Sequence, residues 1–327
     1  MKKLLTAISL ILALALFAAM AMGSGSNDSG NSQASSPVTS GGQSSSSKPS
    51  NSNNSGNSNA SSKPQSSNSS PETSSSSKGI TIEESILFDQ GGIKITAKKI
   101  DTNGFFGPEI TFLIENDSSD SITVQARKMS VNGYMIEPMM SADVAAGKKA
   151  NASLTLTKTD LDLAGITTIA DIELSFHIFD SESWDTILES DQIRIETSAA
   201  KDYNYKYDDS GLSVYNKNGI EIIAKGTSSK DSIFGPSLII DIINSSNTDI
   251  TVQVRDVSIN GFMIDTIFSS DILAGKHSID AVIFMNSSLE ENGIDNIEDI
   301  ELSFHIFNAD TWNTIDDSEP IKLNIGQ

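Results

Sequence analysis

One period organises this chain. The nine residues "DIELSFHIF" stand at Asp171 to Phe179 and again, letter for letter, at Asp299 to Phe307, and the register difference of 128 holds for other segments. "FGPEITFLIEN" from Phe106 matches "FGPSLIIDIIN" from Phe234, and "ITVQARKMSVNGYMI" from Ile122 matches "ITVQVRDVSINGFMI" from Ile250. Upstream, Gly92-Ile93 pairs with Gly219-Ile220 at 127, so one residue separates the registers between Ile100 and Phe106. Solenoid units repeat every ~20–50 residues, so a period this long means two whole domains.

Within each unit the hydrophobic period is two. Ile172, Leu174, Phe176 and Ile178 fall on one face of a strand, with Glu173, Ser175, His177 and Phe179 on the other. Ile110, Phe112 and Ile114 alternate likewise, as do Ile122, Val124 and Ala126. Asn132-Gly133 and Asn260-Gly261 sit between apolar runs. Asn-Gly is the preferred type I′ hairpin turn, because both central residues need positive φ. "TDLDLAG" predicts one short helical turn, with Thr159 as its cap and Gly165 as its terminator. Six to eight short strands and one helical turn per unit predict an all-β fold of two tandem β-sandwiches.

Segments outside the repeats set location. Lys2 and Lys3 precede an apolar run from Leu4 to Met22, and Ala19-Met20-Ala21 forms a small-residue cleavage site, so residues 1–23 read as a signal peptide. Uncleaved, the 19-residue run would nearly span a bilayer core of ~30 Å. Residues 24–78 collapse to Ser, Asn, Gly, Gln and Pro and hold too little apolar surface to offset their ordering entropy. A disordered linker with a root-mean-square span of roughly 40 Å is predicted. The repeats then occupy 79–200 and 201–327.

The repeated ladder is Gly-Ile-x-Ile-x-Ala, Phe-Gly-Pro, Ile-Thr-Val-Gln, Asn-Gly-(Tyr/Phe)-Met, Ala-Gly-Lys and Ile-x-Asp-Ile-Glu-Leu-Ser-Phe. It resembles uncharacterised extracytoplasmic immunoglobulin-like domains of secreted proteins and lipoproteins from Gram-positive bacteria. The resemblance covers Gly79 to Thr197 and Tyr203 to Gln327, and implies an immunoglobulin-like fold at the cell surface or outside the cell; it implies no activity. Ser24 stands where such a lipoprotein carries its lipid-bearing cysteine, so the chain is either a free secreted relative or one whose cysteine has been substituted. Membrane attachment is expected only through an uncleaved signal segment or such a lost lipid anchor.

Composition narrows function. The chain has no cysteine and hence no disulfide, thiolate metal site or thiol nucleophile. Its formal net charge of -21 repels phosphate backbones and argues against nucleic-acid binding. Glu173, Ser175 and His177, repeated as Glu301, Ser303 and His305, contain the residue types of a nucleophilic triad. Residues two apart on a strand nevertheless stand ~6.6 Å apart in a row, too far to close hydrogen bonds. A solvated or inter-sheet-edge polar face is expected instead, and a secreted hydrolase using His177 and His305 is the less favoured alternative.

No cofactor is expected. Asp180, Glu182 and Asp185, with Asp310, Asp316, Asp317 and Glu319 in the second unit, are oxygen-rich but fail the EF-hand spacing. They read as solvated loop charge, so no metal site is assigned. Candidate ligand-binding residues are Gln125, Arg127, Gln253 and Arg255, which share strand faces with Thr123 and Thr251, and the strand-end tryptophans Trp184 and Trp312. Arginine suits a carboxylate-bearing partner, and an indole suits a sugar ring. The expectation is a non-enzymatic binding or adhesion module for an unidentified extracellular protein or glycan, with a structural spacer lacking any specific ligand as the alternative.

The junction "SAAKDYNYKYDDSG" alternates Tyr203, Tyr205 and Tyr207 with polar residues, which predicts the first strand of the second unit and a short hinge near Ala199 and Ala200. Residues 79–200 carry nine basic and 20 acidic side chains, net -11, and residues 201–327 carry eight and 21, net -13. Like charges disfavour close docking of the units at low ionic strength, an effect that screening over about 8–10 Å relaxes at physiological salt, and an elongated monomer is expected.

Overall fold

A computed structural model describes residues 79–228 and 233–325. The signal-peptide and linker assignments lie outside the described residues. Both repeats belong to one compact unit. Among the described residues the fold is all-β, apart from one short helix per repeat and a 3-10 turn at Ala200–Asp202. Among the described residues no helix is long and apolar enough to cross a membrane.

The first repeat runs β1 (Ser85–Gln90), β2 (Ile93–Asp101), β3 (Glu109–Asn116), β4 (Ile122–Val131), β5 (Tyr134–Met135), β6 (Ser141–Val144), β7 (Lys148–Thr155), α1 (Lys158–Leu163), β8 (Asp171–Asp180), β9 (Thr186–Glu189) and β10 (Ile193–Glu196). The second repeats the order: β11 (Leu212–Lys217), β12 (Ile220–Thr227), β13 (Ser237–Asn244), β14 (Ile250–Ile259), β15 (Phe262–Met263), β16 (Thr266–Ile267), β17 (Ser269–Ile272), β18 (His277–Phe284), α2 (Asn286–Glu291), β19 (Asp299–Asn308), β20 (Thr314–Asp317) and β21 (Ile321–Asn324).

In each repeat two antiparallel sheets face each other over one core. The first sheet is β1-β2-β3-β7, matched by β11-β12-β13-β18. The other is built on β4 and β8, matched by β14 and β19. Ile172, Leu174, Phe176 and Ile178 are buried as the period-two pattern requires. Phe176 meets Phe112 of the opposite sheet edge to face, with centroids 5.6 Å apart. Truncating such a buried ring to alanine costs about 3–5 kcal/mol through lost contacts and the cavity left behind. Asn132 and Gly133 both have positive φ, 51° and 87°, and close the β4–β5 hairpin as expected of Asn-Gly.

Several expectations are corrected. Thr159 lies inside α1, whose cap position is Thr157; Gly165 does terminate it, with φ 66°. Tyr203, Tyr205 and Tyr207 form no strand, and the second repeat's first strand begins at Leu212. Their hydroxyls and rings are used in the junction instead: Tyr205 bonds the Asp171 carboxylate, and Tyr207 stacks on His277 with centroids 4.1 Å apart. The face carrying Glu173, Ser175, His177 and Phe179 is not openly solvated, since His177 and Phe179 are buried.

The two repeats also dock despite their like net charges. His277 at the start of β18 pairs in parallel with Tyr134 of β5, and its N–H donates to Gly133 O at 3.0 Å. Lys276 Nζ reaches Glu173 Oε2 at 2.6 Å, and Lys128 Nζ reaches Asp249 Oδ2 at 3.2 Å. Pairs at contact distance outweigh a net charge that is screened over about 8–10 Å.

Candidate functional site

The strand register assembles one outer face from residues that the sequence only suggested separately. On paired β4 and β8, Thr123 lies opposite Phe179, Gln125 opposite His177 and Arg127 opposite Ser175. The second repeat places Thr251, Gln253 and Arg255 opposite Phe307, His305 and Ser303. A bulge follows each arginine, where Lys128 and Asp256 take positive φ and the register shifts. That bulge buries Met129 while leaving Lys128 exposed.

Trp184 reaches this face through the turn after β8. The Asp180 carboxylate accepts from the N–H groups of Ser183 and Glu182, at 2.7 and 3.0 Å, which holds it below the usual carboxylate range. The chain folds back so that the indole stacks on Phe179, whose ring adjoins His177 with centroids 5.3 Å apart. Asn308 accepts the same pair of N–H groups in the second repeat and seats Trp312 on Phe307. A neutral Asn in this role makes Asp180 a turn cap. Both tryptophans are exposed, at 69% and 53%.

The two faces differ at their arginines. Arg255 is exposed and lies 3.6 Å from Asp317, which also meets His305 Nδ1 at 2.5 Å. Arg127 is partly buried and donates to Gln125 Oε1 at 3.3 Å, with no carboxylate at ion-pair distance among the described residues. Burial pulls its guanidinium below the ordinary value, with Glu189 opposing. It lines a cleft of about 440 Å³ together with Lys128, His177, Glu189 and, from the second repeat, Asp249 and Lys276. Burial lowers the His177 pKa first and Arg127 adds to that, while Glu189, 3.0 Å from Nδ1, raises it. Three cations converge there with the carboxylates of Glu173, Glu189 and Asp249, and of the three Arg127 alone has no carboxylate at ion-pair distance among the described residues.

Glu173, Ser175 and His177 do not form a relay. Glu173 is engaged by Arg194 at 2.9 Å and Lys276 at 2.6 Å, while Ser175 Oγ donates to Arg127 O at 3.3 Å. His177 turns to Glu189. Among the described residues no group of His, Asp and Glu is arranged to hold a metal ion.

Sequence reasoning singled out Gln125, Arg127, Trp184 and their repeats; strand pairing puts Gln125 and Arg127 on one face, and Trp184 joins it through its stack on Phe179. It missed Phe179 as the seat of the indole, and Lys128 and Lys276 as cleft cations. Phe179 had a signal, since strand alternation already put it on the face with His177. Lys276 had none, because nothing local in the sequence says how the repeats dock.

No protein-family model and no curated protein matches the chain. Among solved structures, the YadV chaperone is 11% identical and covers 66% of this chain and 91% of its own, with a TM-score of 0.22. A protein of unknown function from Porphyromonas gingivalis W83 is 12% identical, covering 66% and 89%, with a TM-score of 0.17. At such scores neither likeness carries weight for this chain.

Proposed function

We propose that the chain is an exported, non-enzymatic binding protein whose two repeats, 79–200 and 201–327, are immunoglobulin-like β-sandwiches tethered by residues 24–78. Its ligand is a carboxylate-bearing glycan, held by Arg127 and lying along the Trp184–Phe179–His177 face. The lone guanidinium of Arg127 in its cleft carries this reading. A partly buried cation with no carboxylate at ion-pair distance is under-satisfied, even with Glu189 in the same cleft, and a ligand carboxylate would satisfy it through paired charge-assisted hydrogen bonds. The adjoining indole offers a flat apolar surface to a sugar ring. Export rests on the charged start, apolar run and small-residue site of residues 1–23.

The test uses polygalacturonate and its methyl ester, which share a backbone and differ in charge. Calorimetric titration should show saturable binding of the acid form and little of the ester. Arg127→Gln should weaken binding roughly 10-fold or more, the loss expected for a hydrogen bond to a charged group. Equal binding of ester and acid, or no binding of either, removes the reading. Saturable binding of an acidic peptide alone would redirect it to a protein partner.

A second reading, a structural spacer, draws on the docking of the repeats through Lys276–Glu173 and the β5–β18 pairing. It requires Arg127→Ala and Trp184→Ala to be silent in every binding assay and phenotype.

A further inference from the structure

The contact between the repeats has two halves, and each half occurs twice in the chain. One half is supplied by the first repeat. Tyr134 at the tip of the β4–β5 hairpin is 5% exposed, Met135 packs against the second repeat's core, Gly133 O accepts from His277 N, and Glu173 binds Lys276. The other half is the start of β18, at Lys276 and His277.

Adding 128 to the first set gives Gly261, Phe262, Met263 and Glu301; subtracting 128 from the second gives Lys148 and Lys149. Lys149 is held by Glu115, and the others stand open. Phe262 is 49% exposed and Met263 65%. Among the described residues, Glu301 and Lys148 have no ion-pair partner, although Glu173 and Lys276, at the equivalent positions, pair at 2.6 Å. Strand β7, which Lys148 opens, has β3 on one side, and on the other, among the described residues, only a bridge from Met139 to Thr155 at its far end, so its Lys148 end is unpaired there. The equivalent side of β18 is where β5 binds.

We propose that the Phe262–Met263 hairpin and Glu301 dock on the Lys148 end of β7 in a second copy of this chain, so that copies associate head to tail. The occupant follows from continuity with the internal contact, which pairs the same two surfaces, and from the complementary charges of Glu301 and Lys148. Such a contact uses different surfaces on the two partners, so it does not close at two copies and can extend. It is weaker than the internal one for three reasons. The internal contact is tethered, which raises its effective concentration. Tyr207, which stacks on His277, has Ile80 as its counterpart at the upstream offset of 127. The Lys128–Asp249 pair has Asp256 and Ser121 as its counterparts, which cannot pair. The chain is accordingly a monomer when dilute and assembles reversibly when concentrated.

Sedimentation velocity on the full chain at physiological salt, from micromolar to near-millimolar concentration, tests this independently of any glycan. The weight-average mass should climb past the dimer without a plateau. Phe262→Asp, Glu301→Lys and Lys148→Glu should each weaken association at least tenfold, equivalent to about 1.4 kcal/mol. Each site is exposed or unpaired, and an unchanged unfolding midpoint would show each variant folded. An equimolar mixture of Phe262→Asp and Lys148→Glu chains, each keeping one intact half, should stop at dimers. The charge swap Glu301→Lys with Lys148→Glu should recover assembly. A wild-type chain that stays monomeric throughout, a plateau at the dimer, or variants that assemble like wild type would overturn the proposal.

Discussion

The indole of Trp184 lies against the ring of Phe179 with centroids 5.5 Å and planes 18° apart, and Trp312 repeats the distance and angle on Phe307. Both tryptophans take φ of 64°, a left-handed conformation that is costly for a bulky side chain. The stack is therefore held against a backbone penalty. Trp184→Ala removes the stack and keeps the penalty, whereas Trp184→Gly removes both. The glycine variant should be the more stable by about 1 kcal/mol in urea unfolding, the usual difference at a left-handed position. An alanine variant as stable as the glycine variant would mean that this turn carries no strain.

His177 links pH to the proposed binding. Burial, then Arg127, holds its imidazole below the ordinary range, so the ring is neutral at pH 7. A bound carboxylate would favour the imidazolium, so binding takes up a proton and tightens as pH falls below the usual imidazole value near 6.5. Affinity for polygalacturonate should rise between pH 7.5 and 5.5, and His177→Gln should flatten that slope. In the free protein the sign is opposite: a depressed imidazole pKa makes stability fall as pH drops through the same window. A pH slope surviving in His177→Gln would assign the proton to another group.

Asp280 of β18 gives a second pH signature. The protein packed around it raises its carboxyl to about 6, although Ala281 N donates to it at 2.7 Å, and Asp160 of the first repeat adds to the rise. A carboxylate whose folded pKa exceeds its unfolded value costs stability as pH rises through the interval between them, here from about 4 to about 6. The cost above that interval is on the order of 1–3 kcal/mol, from about two pKa units. Asp280→Asn should raise the melting temperature at pH 7.5 and change it little at pH 4. Equal effects at both pH values would show that the gain does not come from the charge.

Much of the fold was legible because local rules and tertiary structure agree. Period two placed Ile172, Leu174, Phe176 and Ile178 inside, and Asn132-Gly133 closed a hairpin because both residues accept positive φ. The candidate face was half legible: alternation put Gln125 with Arg127, and pairing with β8 then put both beside His177. Alternation failed at Tyr203, Tyr205 and Tyr207, where Tyr205 serves Asp171, Tyr207 serves Asn132 and His277, and Tyr203 packs edge to face on Tyr205. A period of two says only which way side chains point, and no strand lay beside these to receive them. Net charge misled in the same place, because docking depends on where Lys276 and Glu173 meet.

The junction itself can be probed with one methyl group. Gly133 and Gly261 hold the same hairpin position at φ of 87° and 82°, so alanine is equally strained at both. Their surroundings differ. A Cβ at Gly133 would come within 2.4 Å of the Tyr207 hydroxyl, while a Cβ at Gly261 meets nothing within 4 Å. Gly261→Ala should therefore cost only the backbone strain, about 1 kcal/mol, and Gly133→Ala should cost more because it also displaces Tyr207 from Tyr134 and His277. Thermal unfolding of the two single variants measures the difference, and Tyr207→Ala supplies the control. In that background the clash is gone, so the two glycine substitutions should cost the same. If Gly133→Ala stays the more damaging without the Tyr207 ring, the excess comes from within the hairpin and Tyr207 does not pack there in solution.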